Sequence, residues 1–290
     1  MKNRLIKTLN IKRFKLVLLL EGLLVGILAG LVIVGYRICL TNGALWLQRI
    51  LAYCKQSIFT IIIWFVILFV IALVVTKLLD WESLISGSGI PQLEGELAGK
   101  IDAKWWRVLI AKFFGGFLAN FSGLALGREG PSIQLGAMVG KGIGKVLKRG
   151  KTEERYLLTC GASAGLAAAF HAPLAGVMFA LEEVHKHFSA PLLISVMTSS
   201  IAADYLMSSI LGMAPVFSFN IHGTLPTQYY WMVIILGIIL GLLGAFYNKA
   251  LLFVQSLYNH SKHLNNYTKL LIPCLLYTSP SPRDSTPSRM

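Results

Sequence analysis

Two long stretches of this sequence are almost free of charge, and they fix the environment in which the chain folds. Residues 57–76 contain no charged side chain between Lys55 and Lys77, and Leu16–Tyr36 is interrupted by Glu21 alone. A helix of about 20 apolar residues is long enough to cross the hydrocarbon core of a bilayer. Only 14% of the residues are charged and 55% are hydrophobic, which leaves too little polar surface for a water-soluble globule. The sequence therefore predicts an integral membrane protein.

Basic residues outnumber acidic residues by 27 to 13, which gives a net charge of +14. They flank the apolar runs and do not line one exposed face, so nucleic acid is excluded as a partner. The positive-inside rule predicts that the basic segment 1–15 is cytoplasmic. Six bases of this segment precede the first apolar run: Lys2, Arg4, Lys7, Lys12, Arg13 and Lys15.

The rest of the chain has shorter, glycine-containing apolar segments, several of which are too short for an upright span. We therefore expect an all-α bundle of tilted and partial helices. Small residues recur at every fourth position, which lets helices approach closely in lipid. The glycine series are Gly22/Gly26/Gly30, Gly136/Gly140/Gly144 and Gly237/Gly241. The candidate helices are Tyr156–Phe170, Ala172–Leu181, Leu192–Leu211 and Tyr229–Asn248, with a last one beginning near Lys269.

Two glycine-rich segments, 87–91 and 127–131, each end with a proline that can open a helix. A helix start offers unpaired backbone N–H groups and about half a positive charge. Two such starts that meet inside the membrane would bind a small anion such as a halide. Ser88 adds a neutral hydroxyl to the first segment, and Arg128 with Glu129 forms an isolated charged pair in the second. Isolated ionisable groups in membrane segments are candidates for function.

Four stretches of the sequence carry distinctive motifs. They are residues 87–95, Gly-Ser-Gly-Ile-Pro-Gln-Leu-Glu-Gly, residues 112–116, Lys-Phe-Phe-Gly-Gly, residues 127–136, Gly-Arg-Glu-Gly-Pro-Ser-Ile-Gln-Leu-Gly, and residues 161–183, which end in Leu-Glu-Glu. In their order and spacing they resemble the CLC family of chloride channels and chloride/proton antiporters. The resemblance spans about residues 15–276.

The resemblance implies a role for each matching residue. Glu129 would be the gating glutamate, which competes with the anion when ionised and leaves when protonated. Glu183, assisted by Glu182, would relay protons, and an Arg128–Glu94 ion pair would brace the gating loop. The anion would be held by Gly87, Ser88, Gly89, Ile90, Arg128, Glu129 and Gly130.

The fold implied is the N-terminal inverted repeat of the CLC fold in truncated form. It would occupy residues 16–276, followed by a non-native or disordered tail at 277–290. The implied protein is a transporter of chloride and protons in the bacterial plasma membrane, with no enzymatic activity, cofactor or metal. It would form a homodimer through the helices around Ala172–Leu211. We expect that the chain needs the rest of the second repeat to transport. A passive channel of the same fold stays open, and so does fluoride as the ion.

One alternative belongs to a different class. Residues 161–165 fit the Gly-x-Ser-x-Gly pattern of a serine hydrolase, with Ser163 as nucleophile and His171 six residues after the pattern. A nucleophile elbow needs a strand-to-helix turn, whereas Ser163 lies in an apparent helix, so the pattern favours packing over catalysis.

Overall fold

The computed structural model describes residues 2–54, 57–124, 126–186, 188–212 and 226–260, and these ranges contain helices but no strand. The predicted all-α class is therefore confirmed. The tail predicted at 277–290 and the helix predicted near Lys269 lie outside the described residues. The helices are α1 (Lys2–Cys54), α2 (Ile58–Trp81), α3 (Ile90–Leu97), α4 (Trp105–Phe121), α5 (Glu129–Val146), α6 (Lys151–Phe170), α7 (Pro173–Phe179), α8 (Ala190–Leu211) and α9 (Trp231–His260).

Helix α1 is much longer than the predicted span Leu16–Tyr36. It begins at Lys2 and continues through Arg37 to Cys54. Arg37, which follows the predicted span, lies within the helix, and its Nη1 lies 3.0 Å from His171 Nε2. At 1.5 Å per residue, the apolar part Leu16–Cys54 is roughly 58 Å long. This exceeds a hydrocarbon core of about 30 Å, so α1 extends beyond the bilayer.

Four helices are long and apolar enough to cross a membrane within the described part of the chain: Leu16–Cys54, Ile58–Trp81, Ala190–Leu211 and Thr227–Leu257. By contrast, α3 and α7 have only 8 and 7 residues. Helices of that length reach about 12 Å and cannot span a bilayer. The chain is thus an integral membrane protein with full and partial helices, as predicted.

The glycine series pack helices together as predicted in two of the three cases. On α5, Gly136 touches the carbonyl of Gly161, and Gly140 touches that of Leu157, both on α6. On α1, the glycines of the first series face the backbone of α8, and a Cβ built on Gly22 would lie 2.8 Å from Ser195 O. A side chain larger than hydrogen would push these helix pairs apart.

The third series behaves differently. A Cβ built on Gly237 or Gly241 would meet no atom within 4 Å among the described residues, and residues 231–257 of α9 are exposed except for the half-buried Ala250. The prediction that this series packs a helix is therefore not met in the described part of the chain.

Two charges within the bundle have ion-pair partners. Glu21 on α1 is buried and pairs with Arg149, whose Nε donates to Glu21 Oε1 at 2.6 Å. Lys141 on α5 is also buried, pairs with Glu96, and donates to Asp102 Oδ1 at 2.7 Å. Helix α5 continues past Lys141 to Val146, and these acids neutralise the buried charge of Lys141.

Candidate anion-binding site

The structure brings the two glycine-rich segments together. A Cβ built on Gly130 would lie 2.6 Å from Ser88 O and 3.0 Å from Ser88 Cα. The first turn of α5 therefore rests directly on the loop that leads into α3. Only glycine allows this approach, because any side chain at residue 130 would overlap the Ser88 backbone.

Two glycines of the α3 loop adopt positive φ, at +71° for Gly87 and +94° for Gly89. This left-handed region favours glycine strongly. Gly89 is also crowded, since a Cβ there would lie 2.5 Å from Gln134 Oε1 on α5. The glycines thus permit the turn that places Ser88 between the two helix starts.

The hydroxyl group of Ser88 stabilises the turn in which this residue lies. Its Oγ accepts a hydrogen bond from Ile90 N at 3.3 Å. The hydroxyl proton is not donated to any of the described residues, and the side chain is exposed. It is therefore available to an anion. A hydroxyl that accepts from the backbone also becomes a better donor through hydrogen-bond polarisation.

Lys112 on α4 fixes the loop that precedes Ser88. Its Nζ donates to Ile85 O at 2.8 Å and to Gly87 O at 2.7 Å, and the residue is only 4% exposed. Sequence reasoning did not assign it to the site. Lys112 is an isolated charge among apolar residues, and this criterion would have marked it as a candidate for function. The criterion was used for Arg128 and Glu129 but not for Lys112.

Two glutamine amides complete this support. Gln92 Nε2 donates to Ser86 O at 2.8 Å, and Gln134 Nε2 donates to Leu84 O at 2.9 Å. Together with Lys112, they give a side-chain donor to each of the four successive carbonyls 84–87. These oxygens are therefore occupied by the protein. Neither glutamine was predicted to belong to the site.

Glu129 is the first residue of α5 and is half-buried. Its carboxylate bends back over the preceding turn, so that a Cβ on Gly127 would lie 2.6 Å from Glu129 Oε2. The carboxylate makes no ion pair with the described residues. Glu129 belongs to the first turn of α5, and a negative charge is stabilised at a helix start.

The predicted ion pair between Arg128 and Glu94 is absent from the described part of the chain. Glu94 Oε2 instead lies 3.4 Å from Lys186 Nζ. Glu94 is the fifth residue of α3. It therefore lies away from the loop that contacts Gly130 and close to Lys186, in the segment after α7. The prediction that Arg128 and Glu94 brace the gating loop was therefore wrong in this structure.

Glu182 and Glu183 lie together on a π-helical turn, Ala180–His185, that follows α7. Both are exposed in the described structure. No described hydrogen bond links either of them to Glu129. The structure thus places them on a separate element from the convergence of α3 and α5.

The geometry does not support the hydrolase alternative. Ser163 lies within α6, is fully buried, and shares a short hydrogen bond with Ser200 on α8. No strand precedes it in the described residues, so the strand-to-helix turn of a nucleophile elbow is missing. His171 bonds to Asp204 and not to Ser163. Ser163 is packing surface between two helices.

These features define a helical membrane protein in which two helix starts converge. A sequence model of the family described as voltage gated chloride channel matches residues 69–280, and the chain belongs to this family. The resemblance seen in the sequence is thereby confirmed.

Curated relatives carry the name H(+)/Cl(-) exchange transporter ClcA. The protein from Citrobacter koseri is 34% identical over 255 residues, which cover 84% of this chain and 52% of the relative. The protein from Salmonella arizonae is 35% identical over 271 residues, which cover 89% of this chain and 56% of the relative. The chain thus spans about half the length of these curated relatives.

Solved structures give the same fold. A slow cyanobacterial Cl-/H+ antiporter superposes with a TM-score of 0.83 at 31% identity, covering 91% of this chain and 64% of that one. A CLC-type fluoride/proton antiporter superposes with a TM-score of 0.69 at 22% identity, covering 90% of this chain and 64% of that one. A eukaryotic CLC transporter superposes with a TM-score of 0.73 at 23% identity, covering 91% of this chain and 49% of that one. The last two are evidence for the fold alone.

Proposed function

We propose that this protein, in its full-length form, exchanges chloride for protons across a membrane. The observation that carries the proposal is the contact of Gly130 with Ser88, which supports a shared anion position between the starts of α3 and α5, next to Glu129 in the chain. The curated relatives named above are exchange transporters, which supports the same activity.

Chloride binding follows from the donors that surround this point. The first turn of each helix has backbone N–H groups without intrahelical partners, and Ser88 contributes an O–H. The helix dipoles of α3 and α5 add partial positive charge at their starts. The anion would thereby be held by N–H and O–H donors of the chain. Ser88, with Gly87, Gly89 and Ile90, would supply the α3 side.

Coupling to protons follows from Glu129. An ionised carboxylate and a chloride ion are both monoanions, and they compete for the same N–H groups. Protonation removes the negative charge of Glu129, which frees the donors for chloride. Each chloride that enters therefore favours a protonated Glu129. Glu183, with Glu182, would deliver protons from the opposite side, as carboxyl groups in membranes commonly do.

The assembly and the orientation belong to the same proposal. We place the basic segment 1–15 in the cytoplasm and the transmembrane domain at 16–276 in a bacterial plasma membrane. Helix α8 presents a stripe of exposed apolar side chains, Ile194, Ile201 and Tyr205. Their spacing of seven and four residues puts them on one helix face. This face supports a homodimer contact.

Flux measurements with the full-length protein in proteoliposomes test the proposal. An imposed chloride gradient should drive proton movement against a proton gradient. In Glu129→Gln and Glu183→Gln, proton movement should fall at least tenfold while chloride flux continues. Asp80→Asn is the matched control, because Asp80 is an exposed carboxylate at the end of α2. Chloride flux without proton movement in the unmodified protein would show a passive channel and refute the exchange.

A further inference from the structure

Two tryptophans and one arginine form a cluster where the end of α2 meets the start of α4. Arg107 Cζ lies 5.6 Å from the ring centre of Trp81 and 5.2 Å from that of Trp106. The centres of the two indole rings are 5.8 Å apart, in an edge-to-face arrangement. We call these three residues the Trp–Arg cluster. The proposed exchange of chloride and protons does not use it.

The guanidinium of Arg107 has no acceptor among the described residues. Its Nε is buried without a hydrogen-bond partner, and no described carboxylate lies within ion-pair distance of it. Asp102, five residues earlier, is bound by Lys141. A cation–π contact uses the face of the guanidinium and leaves the N–H groups at its edge available. Because buried donors are almost always paired in proteins, the missing acceptor indicates a ligand.

The charges around the Trp–Arg cluster favour an anion as this ligand. Two acids, Asp80 and Glu82, and two bases, Lys77 and Lys104, flank the cluster in the chain. None of these four side chains forms an ion pair with a described residue. Their charges offset one another, so the positive charge of Arg107 remains. Arg107 also lies in the first turn of α4, where the helix dipole adds partial positive charge.

The Trp–Arg cluster lies at one boundary of the membrane. Helix α2 is long and apolar enough to span a bilayer, and it ends at Trp81. Helix α4 packs against α2 and begins at Trp105, beside this end. Trp81 and Trp106 are 41% and 43% exposed. Exposed tryptophans at the ends of membrane helices are typical of the level of the lipid head groups.

Exposed apolar side chains continue from both tryptophans towards the membrane interior. On α2 they are Val74 and Val70, which precede Trp81 by seven and eleven residues. On α4 they are Ile110 and Phe114, which follow the start of that helix at a spacing of four residues. Such spacing keeps the side chains of each helix on one face. These faces offer a surface on which acyl chains can lie.

We propose that the Trp–Arg cluster binds the phosphodiester group of an anionic phospholipid. Arg107 donates to the phosphate oxygens, which its planar fork of N–H groups matches in geometry. Trp81 and Trp106 hold the face of the guanidinium, and rotation of an exposed ring opens the way to the buried Nε. The acyl chains lie on the apolar faces of α2 and α4. A soluble phosphate would lack this last contact, so the ligand is a membrane lipid.

Native mass spectrometry of the full-length protein, titrated with phosphatidylglycerol in detergent, measures this binding. The unmodified protein should retain one tightly bound lipid per chain. In Arg107→Gln the affinity for this lipid should fall at least tenfold, the loss expected for one hydrogen bond to a charged group. Arg49→Gln is the matched control, because Arg49 is an exposed arginine on α1 without a cation–π contact to a described ring. An unchanged affinity in Arg107→Gln overturns the proposal.

Two further variants keep the proposal falsifiable if Arg107→Gln alters the fold. Trp106→Leu keeps the apolar bulk and removes one cation–π contact, so the affinity should fall about two- to fivefold. Arg107→Lys keeps the charge but loses the planar fork, and it should recover only part of the affinity. Thermal melts identify variants that are folded. Full affinity in Arg107→Lys would overturn the role of the stacked guanidinium.

The source of the phosphate and the location of the site are tested separately. Equal affinity for phosphatidylcholine, or for soluble glycerol phosphate, overturns the assignment to an anionic lipid. Cryo-electron microscopy in nanodiscs that contain phosphatidylglycerol should show a phosphate about 3 Å from the guanidinium of Arg107. A segment of the full-length chain that covers Trp81 and Trp106 overturns the site. The inference does not rest on the proposed function, because lipid binding and ion flux are measured in different assays and either can fail alone.

Discussion

Replacing Gly130 by alanine should separate the two helix starts with little effect on the rest of the bundle. The new Cβ would lie 2.6 Å from Ser88 O, whereas Cβ contacts below 3.0 Å are essentially never seen. The difference, 3.0 minus 2.6, requires a shift of at least 0.4 Å. Since both neighbours are backbone, the shift must move the start of α3 or that of α5. Overpacking of this kind costs about 1 to 3 kcal/mol.

The effect on the anion follows from the donors that move away. A hydrogen bond to a charged group contributes about 1.5 to 3 kcal/mol, and each 1.4 kcal/mol is about tenfold in affinity. Losing one such donor should weaken chloride binding about tenfold or more. Isothermal titration of chloride into the full-length protein measures this loss, and a thermal melt monitors the fold.

The matched control is Gly35→Ala. Gly35 lies within α1, and a Cβ there meets no atom of the described residues within 4 Å. This variant should bind chloride like the unmodified protein. Unchanged chloride affinity in Gly130→Ala would refute the view that close contact of the helix starts makes the site. If Gly35→Ala lost as much chloride affinity as Gly130→Ala, the effect would come from replacing a helical glycine and not from the contact with Ser88.

Three further predictions concern the supports of the site and the bundle. In Lys112→Met, the carbonyls of residues 85 and 87 lose their donor, at about 1 to 3 kcal/mol for each buried unsatisfied group. Hydrogen exchange should therefore quicken in residues 84–90, and an unchanged rate would contradict the assigned support. Gly140→Ala places a Cβ against Leu157 O and should lower the melting temperature, whereas the Cβ of Gly237→Ala meets no described atom within 4 Å and should not. Equal melting temperatures would show that the glycine contact is unimportant. Finally, the hydrogen bond and charge of Lys141 hold the pKa of Asp102 below its ordinary value of 3.8, so the stabilisation is present above that value and is lost as pH falls through the lowered pKa. Melting curves of Asp102→Asn should lack this part of the acid dependence, and identical acid profiles would refute it.

The sequence predicted the helical class, the close-packed glycines of α1 and α5, and the meeting of two glycine-rich segments. These features depend on local composition and spacing, which a single sequence contains. The glycine series also follow from a physical requirement, because two helices can approach closely in lipid only where small residues line the contacting face. Such requirements leave a repeated pattern that is visible without a structure.

The supports of the site left no such pattern. Lys112 donates to carbonyls 25 and 27 residues earlier in the chain, and Gln134 donates to one 50 residues earlier. Nothing in the spacing of these residues indicates the partner, because the contact exists only after α4 and α5 have packed. The end predicted for α1 at Tyr36 failed for the same reason. The partner of Arg37 is His171, 134 residues away.

The carbonyl oxygens of residues 84–87 accept hydrogen bonds from Lys112 and the two glutamines. This bears on whether the site selects anions or cations. Backbone oxygens are the groups with which proteins strip water from sodium and potassium. Here those oxygens already accept hydrogen bonds from ammonium and amide protons, which makes them poorer ligands for a metal cation that passes Ser88. The hydrogen bonds made by this loop therefore favour an anion over a cation as its ligand.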